Sequence, residues 1–221
     1  MNKSLIISFF LIGAFFMQIP SAFAWDYNTH QEIVQSNYNA LPSNIQQNLD
    51  INALKQGSID PDFKFFDFKN HYYPNSYFKA EEWLNKGQQY YKNGNYYYAS
   101  YCYGVASHYI ADSFSAPHCA NISGPYHTLY EAQASFFLKP EFTPINSNED
   151  LKSMMIEGQS SGKYDWNQWM NTKNNSYIQN DLNTATDVSY YAIYTSINNS
   201  NSTDNKKENN SNYSISLLSI F

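Results

Sequence analysis

The chain has 221 residues, a formal net charge of -6, 43% hydrophobic and 14% charged residues and two cysteines, a profile that fits one globular domain and excludes a collagen-like or low-complexity polymer. All 13 basic residues are lysines, so there is no guanidinium fork for phosphate and no broad basic groove for nucleic acid. Aromatic residues make up 18% of the chain, and 21 tyrosines dominate them, which predicts a core of large rings beneath a weakly charged surface.

Residues 1–24 read as a secretory signal. Lys3 supplies the positive start, residues 5–16 form the apolar stretch, and Ala22-Phe23-Ala24 is a small-x-small cleavage site. The stretch is shorter than the roughly 20 apolar residues that span a bilayer. The mature, exported chain is therefore expected to begin at Trp25, and loss of Lys3 leaves 12 lysines against 19 acids, a net charge of -7.

From there the apolar residues recur at helical spacing between breaks at Pro42, Pro61, Pro74, Gly94, Pro117, Gly124 and Pro140. Helices are predicted over 29–40, 42–57, 79–92, 96–114, 125–137 and 180–197, with Ser43 and Asn95 as N-caps. No alternating β-branched run competes, so the fold class is all-α, a single helical bundle over 25–196. Residues 197–221 are rich in Asn and Ser without hydrophobic period and are expected to be a disordered tail.

The five histidines stand at 30, 71, 108, 118 and 127. His108 and Asp112 lie four apart in a helical segment and so share one face; His127 and Glu131 repeat the spacing on the next helix. His118 follows Pro117 in the turn between them. Imidazole with carboxylate is a ligand set suited to zinc. Either pair alone is more often an ordinary surface or capping contact, but two pairs and His118 within 24 residues reverse that weighting in favour of a metal site.

The stretch from Trp83 to Asn121 carries Gly94-Asn95-Tyr96, Ala99, Gly104, Ala106, His108-Tyr109, Asp112, Pro117-His118 and Ala120-Asn121. In this it resembles the zinc-dependent phospholipases C, a family that includes the bacillary enzyme and the catalytic domain of clostridial alpha-toxin, with the S1/P1-type nucleases as distant relatives. Gly57-Ser58-Ile59-Asp60-Pro61-Asp62 and Asn70-His71-Tyr72 look like the family's upstream segments, and Trp25 resembles its mature amino-terminal tryptophan. Ala111 and Ala116 depart from the family's usual residues, along the turn rather than at the ligands.

The resemblance implies three zinc ions. One would be held by Asp62, His71, His108 and Asp112; a second by the amine and carbonyl of Trp25 with His30 and Asp112; a third by His118, His127 and Glu131. All five histidines are then used. Asp62 is the implied general base, and its neighbour Asp60 a supporting or turn-forming acid. Three divalent cations outweigh three carboxylates, which makes a positive cavity in an acidic protein without arginine.

The activity implied is hydrolysis of a phospholipid at a membrane surface to diacylglycerol, or its ether analogue, and a phosphorylated head group, by a monomer that is not expected to engage nucleic acid. Alternatives are a zinc-dependent single-strand nuclease, against which Glu131 argues because the nuclease branch carries Asp there, and a zinc-binding surface protein without catalysis. Cys102 and Cys119 are either a disulfide pinning the helix to the metal-bearing turn or two separate core residues. Phe65, Phe66, Tyr72 and Tyr73 belong either to a substrate cleft or to the core.

Overall fold

The computed structural model describes residues 25–145 and 149–217, with side chains through residue 199. The predicted signal peptide lies outside the described residues.

Helix α1 (Tyr27–Ala40) starts where the Asp26 carboxylate accepts the amide of Thr29. The segment predicted as one helix over 42–57 is two, α2 (Ser43–Gln46) and α3 (Ile51–Gly57). Asp50 divides them because its side chain accepts from the amides of Asn52 and Ala53 and so begins a new helix. Ser43 is not a cap: it is the first helical residue, preceded by Pro42 with no side-chain bond. Helix α4 (Asp60–Phe63) and a 3-10 turn (Phe68–Asn70) lead into α5 (Asn75–Lys92) and α6 (Tyr96–Asp112), the last capped by Asn95 as predicted. A short α7 (Ala116–Cys119), α8 (Pro125–Phe137), α9 (Leu151–Thr172) and α10 (Asn175–Leu217) complete the order. Among the described residues there is no strand, and no helix is long and apolar enough to cross a membrane.

Helix α6 is the axis. It is buried almost all round, the pattern of a helix enclosed by others rather than lying on a surface, and α1, α3, α5 and α10 pack on it. One core joins Trp25, Ile33, Val105, Tyr109, Tyr130, Trp166, Trp169 and Leu182; a second gathers Leu41, Ile45, Leu54, Tyr103 and Ile193 toward the other end. A side chain on Gly104 would overlap the carbonyl of Leu54, and one on Gly57 the carbonyl of Tyr101, so α3 and α6 cross with their backbones in contact.

At three points the structure departs from the sequence reading or decides between alternatives it left open. Helix α9 was not expected, because Gly158 and Gly162 occupy its inward face; they are there because Phe114 and Cys119 fill the space a side chain would take. The final helix extends through Leu217 into the segment expected to be disordered, and neither proline nor glycine occurs after Gly162 to stop it. Cys102 and Cys119 are not bridged: both are free and buried, and the Cys119 thiol donates instead to the carbonyl of Ser113 at 3.2 Å.

Candidate metal centre

The last two turns of α6 carry His108 and Asp112, and both are fully buried. Helix α1 brings in His30, α4 brings Asp62, and the turn after the 3-10 segment brings His71. Asp112 lies at their meeting point. Its Oδ1 is 3.2 Å from His30 Nε2, and its Oδ2 is 2.9 Å from His71 Nδ1 and 3.2 Å from His108 Nε2. Asp62 Oδ1 lies farther out, 3.6 Å from His71 Nδ1 and 3.9 Å from His108 Nε2. The rings of His30 and His108 stack at 4.0 Å.

A second group adjoins the first. His118 projects from α7, and His127 and Glu131 from successive turns of α8. The His127 Nε2 and Glu131 Oε1 atoms are in contact, and the His118 and His127 rings meet edge to face at 5.0 Å. Tyr72 stacks on His118 at 4.6 Å.

These atoms fit cations better than they fit one another. His30 Nε2, Asp62 Oδ1, both nitrogens of His71, His108 Nε2, both oxygens of Asp112 and both nitrogens of His118 are buried without a hydrogen bond, although several lie near 3 Å apart; the approaches are out of line. Unsatisfied buried polar atoms are rare, and a converging set of them is what ligands without their ion look like. Side-chain ligand atoms within 4.8 Å of one another form three sets: His30, His108 and Asp112; Asp62, His71 and His108; and His118, His127 and Glu131. Behind the sets, His108 Nδ1 meets the carbonyl of Ser58 at 2.7 Å and His127 Nδ1 that of Ile122 at 2.8 Å. A ring that donates from Nδ1 presents a lone pair at Nε2, the arrangement of a histidine oriented for metal.

The electrostatics agree with a cluster in need of positive charge. Burial pushes the Glu131 carboxyl well above its ordinary range, and Asp112, Asp62 and Asp26 push it further. Burial likewise pushes Asp62 up to about 6, with Asp112 adding to the rise and His108 and His71 opposing it. Asp112 is the exception: burial would raise it, but His108, His30 and His71 outweigh burial and hold it well below the usual range. Burial drives His118 down to about 3, so that imidazole is neutral and able to ligate.

Of the residues picked from the sequence, His30, Asp62, His71, His108, Asp112, His118, His127 and Glu131 all come together. Trp25 is fully buried, and its indole Nε1 donates to the carbonyl of Ala111 at 3.0 Å, next to Asp112. Asp60 separates from its twin Asp62: it accepts from Gln56 and from the Tyr101 hydroxyl and pairs with Lys64. Of the four aromatics left open, Phe65 and Tyr73 pack against the core, Tyr72 covers His118, and Phe66 is 68% exposed. A cleft of about 290 Å³ reaches Glu131 between other rings, Tyr27, Phe63 and Phe136, with Ala132, Asp26 and Thr128. The larger cavity of about 540 Å³ lies between α5 and α10 and contains none of these ligands. Sequence reading missed the supporting carbonyls, which no residue type announces.

Comparison with known proteins accords with this centre. The model of a family described as zinc dependent phospholipase C matches residues 23–184. The helical fold is similar to that of the alpha-toxin of Clostridium perfringens from an avian strain, with a TM-score of 0.65 and 17% identity over 80% of this chain and 66% of that one. The alpha toxin of Clostridium absonum gives 0.61 and 16%, over 78% and 64%. The chain thus spans slightly less than two thirds of either toxin. No curated protein matches the chain significantly.

Proposed function

This chain belongs to the zinc-dependent phospholipase C family; from that membership and the signal-like residues 1–24 we propose that it is an exported enzyme, cleaved before Trp25, that hydrolyses phospholipids to diacylglycerol or its ether analogue and a phosphorylated head group. The observation that carries the proposal is the convergence of five buried imidazoles and Asp62 on Asp112 and Glu131, with most of the inward atoms of these eight residues left without hydrogen bonds. Three zinc ions are the proposed complement: one with Asp62, His71, His108 and Asp112, one with Trp25, His30 and Asp112, and one with His118, His127 and Glu131. Residues 25–196 would form the catalytic unit, acting as a monomer at a lipid surface.

Bound zinc supplies positive charge to the anionic phosphodiester and lowers the pKa of water toward about 7. Asp112 holds His30, His71 and His108 around one carboxylate and, through its two oxygens, serves two ligand sets. Asp62, at the edge of the cluster, takes the proton of the attacking water, a role that needs a carboxylate within hydrogen-bond reach of it. His108 and His127 are fixed by the carbonyls of Ser58 and Ile122, and the Tyr72 ring excludes water from one side of His118. The aromatic cleft ending at Glu131 offers the apolar wall a phospholipid needs beside its phosphate.

The test is release of phosphorylated head groups from mixed phospholipid vesicles by the chain beginning at Trp25, with single-stranded nucleic acid as control. Release that chelator abolishes and zinc restores is the expected result. Cleavage of nucleic acid alone, or of neither, overturns the proposal.

A further inference from the structure

Asp181 is an acid that the ligand sets leave unused. It sits on α10, 3% exposed, with no lysine paired to it among the described residues, and its Oδ2 accepts two hydrogen bonds from separate elements: 2.9 Å from the amide of Ala116 and 2.6 Å from the hydroxyl of Tyr130. Ala116 is the first residue of α7, and its amide is one of those a helix start cannot satisfy internally. Ser115, the residue in the cap position, makes no side-chain cap bond, so Asp181 supplies the cap from another helix. His118 follows two residues later. Tyr130 immediately precedes Glu131 on α8 and lies three residues after His127.

One oxygen therefore ties together the two elements that carry His118, His127 and Glu131. The remaining contacts make this junction stiff. The Tyr130 ring packs against Trp25 at 6.0 Å, Trp166 at 6.0 Å and Trp169 at 5.1 Å. Asp181 also neighbours Asp165, a buried acid of α9 that accepts from Asn180 at 3.0 Å.

We propose that Asp181 is a positioning residue for the His118, His127 and Glu131 set: by bonding the Ala116 amide and the Tyr130 hydroxyl through one oxygen, it fixes the separation of His118 from the His127 and Glu131 pair. The inference rests on reading those three residues as a zinc site. An outer partner that orients ligands commonly changes metal affinity by about 10 to 100-fold when removed, and Asp181 orients two ligand-bearing elements at once.

The experiment is stepwise zinc competition against a chromogenic chelator, with no substrate present, on the full chain beginning at Trp25. Glu131→Gln identifies the step that belongs to this set. Asp181→Leu removes the acceptor, whereas Asp181→Asn keeps an oxygen for both donors and an amide to face Asp165. The expected result is that Asp181→Leu weakens the Glu131-dependent step by about 10 to 100-fold and leaves the other steps and the helical circular dichroism unchanged, while Asp181→Asn stays near wild type. Tyr130→Phe, which keeps the ring packing and removes one donor, is expected to weaken the same step by a smaller factor, and it decides the matter if Asp181→Leu does not fold. Equal weakening of all steps, no weakening, or equal losses in the Asn and Leu variants overturns the inference, as does a wild type with no Glu131-dependent step. A wild type that binds zinc but hydrolyses no lipid, with the step still weakened in Asp181→Leu, removes the phospholipase reading and leaves the positioning role standing.

Discussion

The indole of Trp25 donates to the carbonyl of Ala111, so the proposed amino-terminal ligand is anchored to the residue that precedes Asp112. The anchor uses the side chain and leaves the main-chain amine and carbonyl to act as ligands. An α-amine with a pKa near 7.7 to 8.0 yields its proton to a metal readily, whereas an amide does not. A chain carrying one extra residue before Trp25 should keep its helical content, bind one zinc fewer and lose at least about tenfold in activity. Elemental analysis of the two chains checks this, and equal zinc content would contradict it.

Asp60 and Asp62 are two residues apart and both buried, yet they predict opposite phenotypes. Asp62→Asn removes the proposed base and should lower turnover by about 10² to 10⁴-fold with melting temperature little changed. Asp60→Asn weakens the bonds to Tyr101 and Lys64; it should lower the melting temperature and leave zinc content and most turnover in place. Kinetics and thermal melts on both variants separate the roles.

Gly104 sets the crossing of α3 with α6, and the same crossing brings the carbonyl of Ser58 to His108. Gly104→Ala forces the two backbones apart. Overpacking of this kind costs about 1 to 3 kcal/mol, and the zinc set containing His108 should weaken with it. Thermal denaturation with and without zinc tests this; an unchanged melting temperature would show that the crossing has slack.

Asp187 on α10 accepts the amide of Thr143 at 2.7 Å. Burial pushes its carboxyl up to about 6, and the Thr143 bond pulls it partly back. The folded state therefore holds this proton more tightly than the unfolded state, so the group's contribution to stability is complete below about 3.8 and is lost as pH rises through about 6. Asp187→Asn has no such loss. The difference in melting temperature, variant minus wild type, should grow between pH 4 and pH 7, modestly because the group is half-buried. A flat difference would contradict the prediction.

Much of this candidate centre was legible in the sequence because residue types that can ligate a metal do so at a required spacing: the His108 and Asp112 pair and the His127 and Glu131 pair each need one helical face, and each has it. The helix over 125–137 is read correctly because Gly124, with φ of 102°, and Pro125 mark its start. Helix α9 escaped because its contact stripe is partly glycine, which hydrophobic counting registers as a break, although Met154, Met155, Trp166 and Trp169 continue the stripe on either side. The division at Asp50 is written in its capping side chain, which the apolar pattern across 42–57 conceals. Asp181 could not be recognised at all, since its proposed role depends on two donors 51 and 65 residues away.

The most direct measurement returns zinc in increments to chelator-stripped chain beginning at Trp25 while following head-group release from phospholipid vesicles. Activity should be absent without metal and reach its full value only when the third equivalent has bound. Full release from the stripped chain, or no release at any zinc content, would contradict the assignment of these residues to a trinuclear zinc phospholipase C.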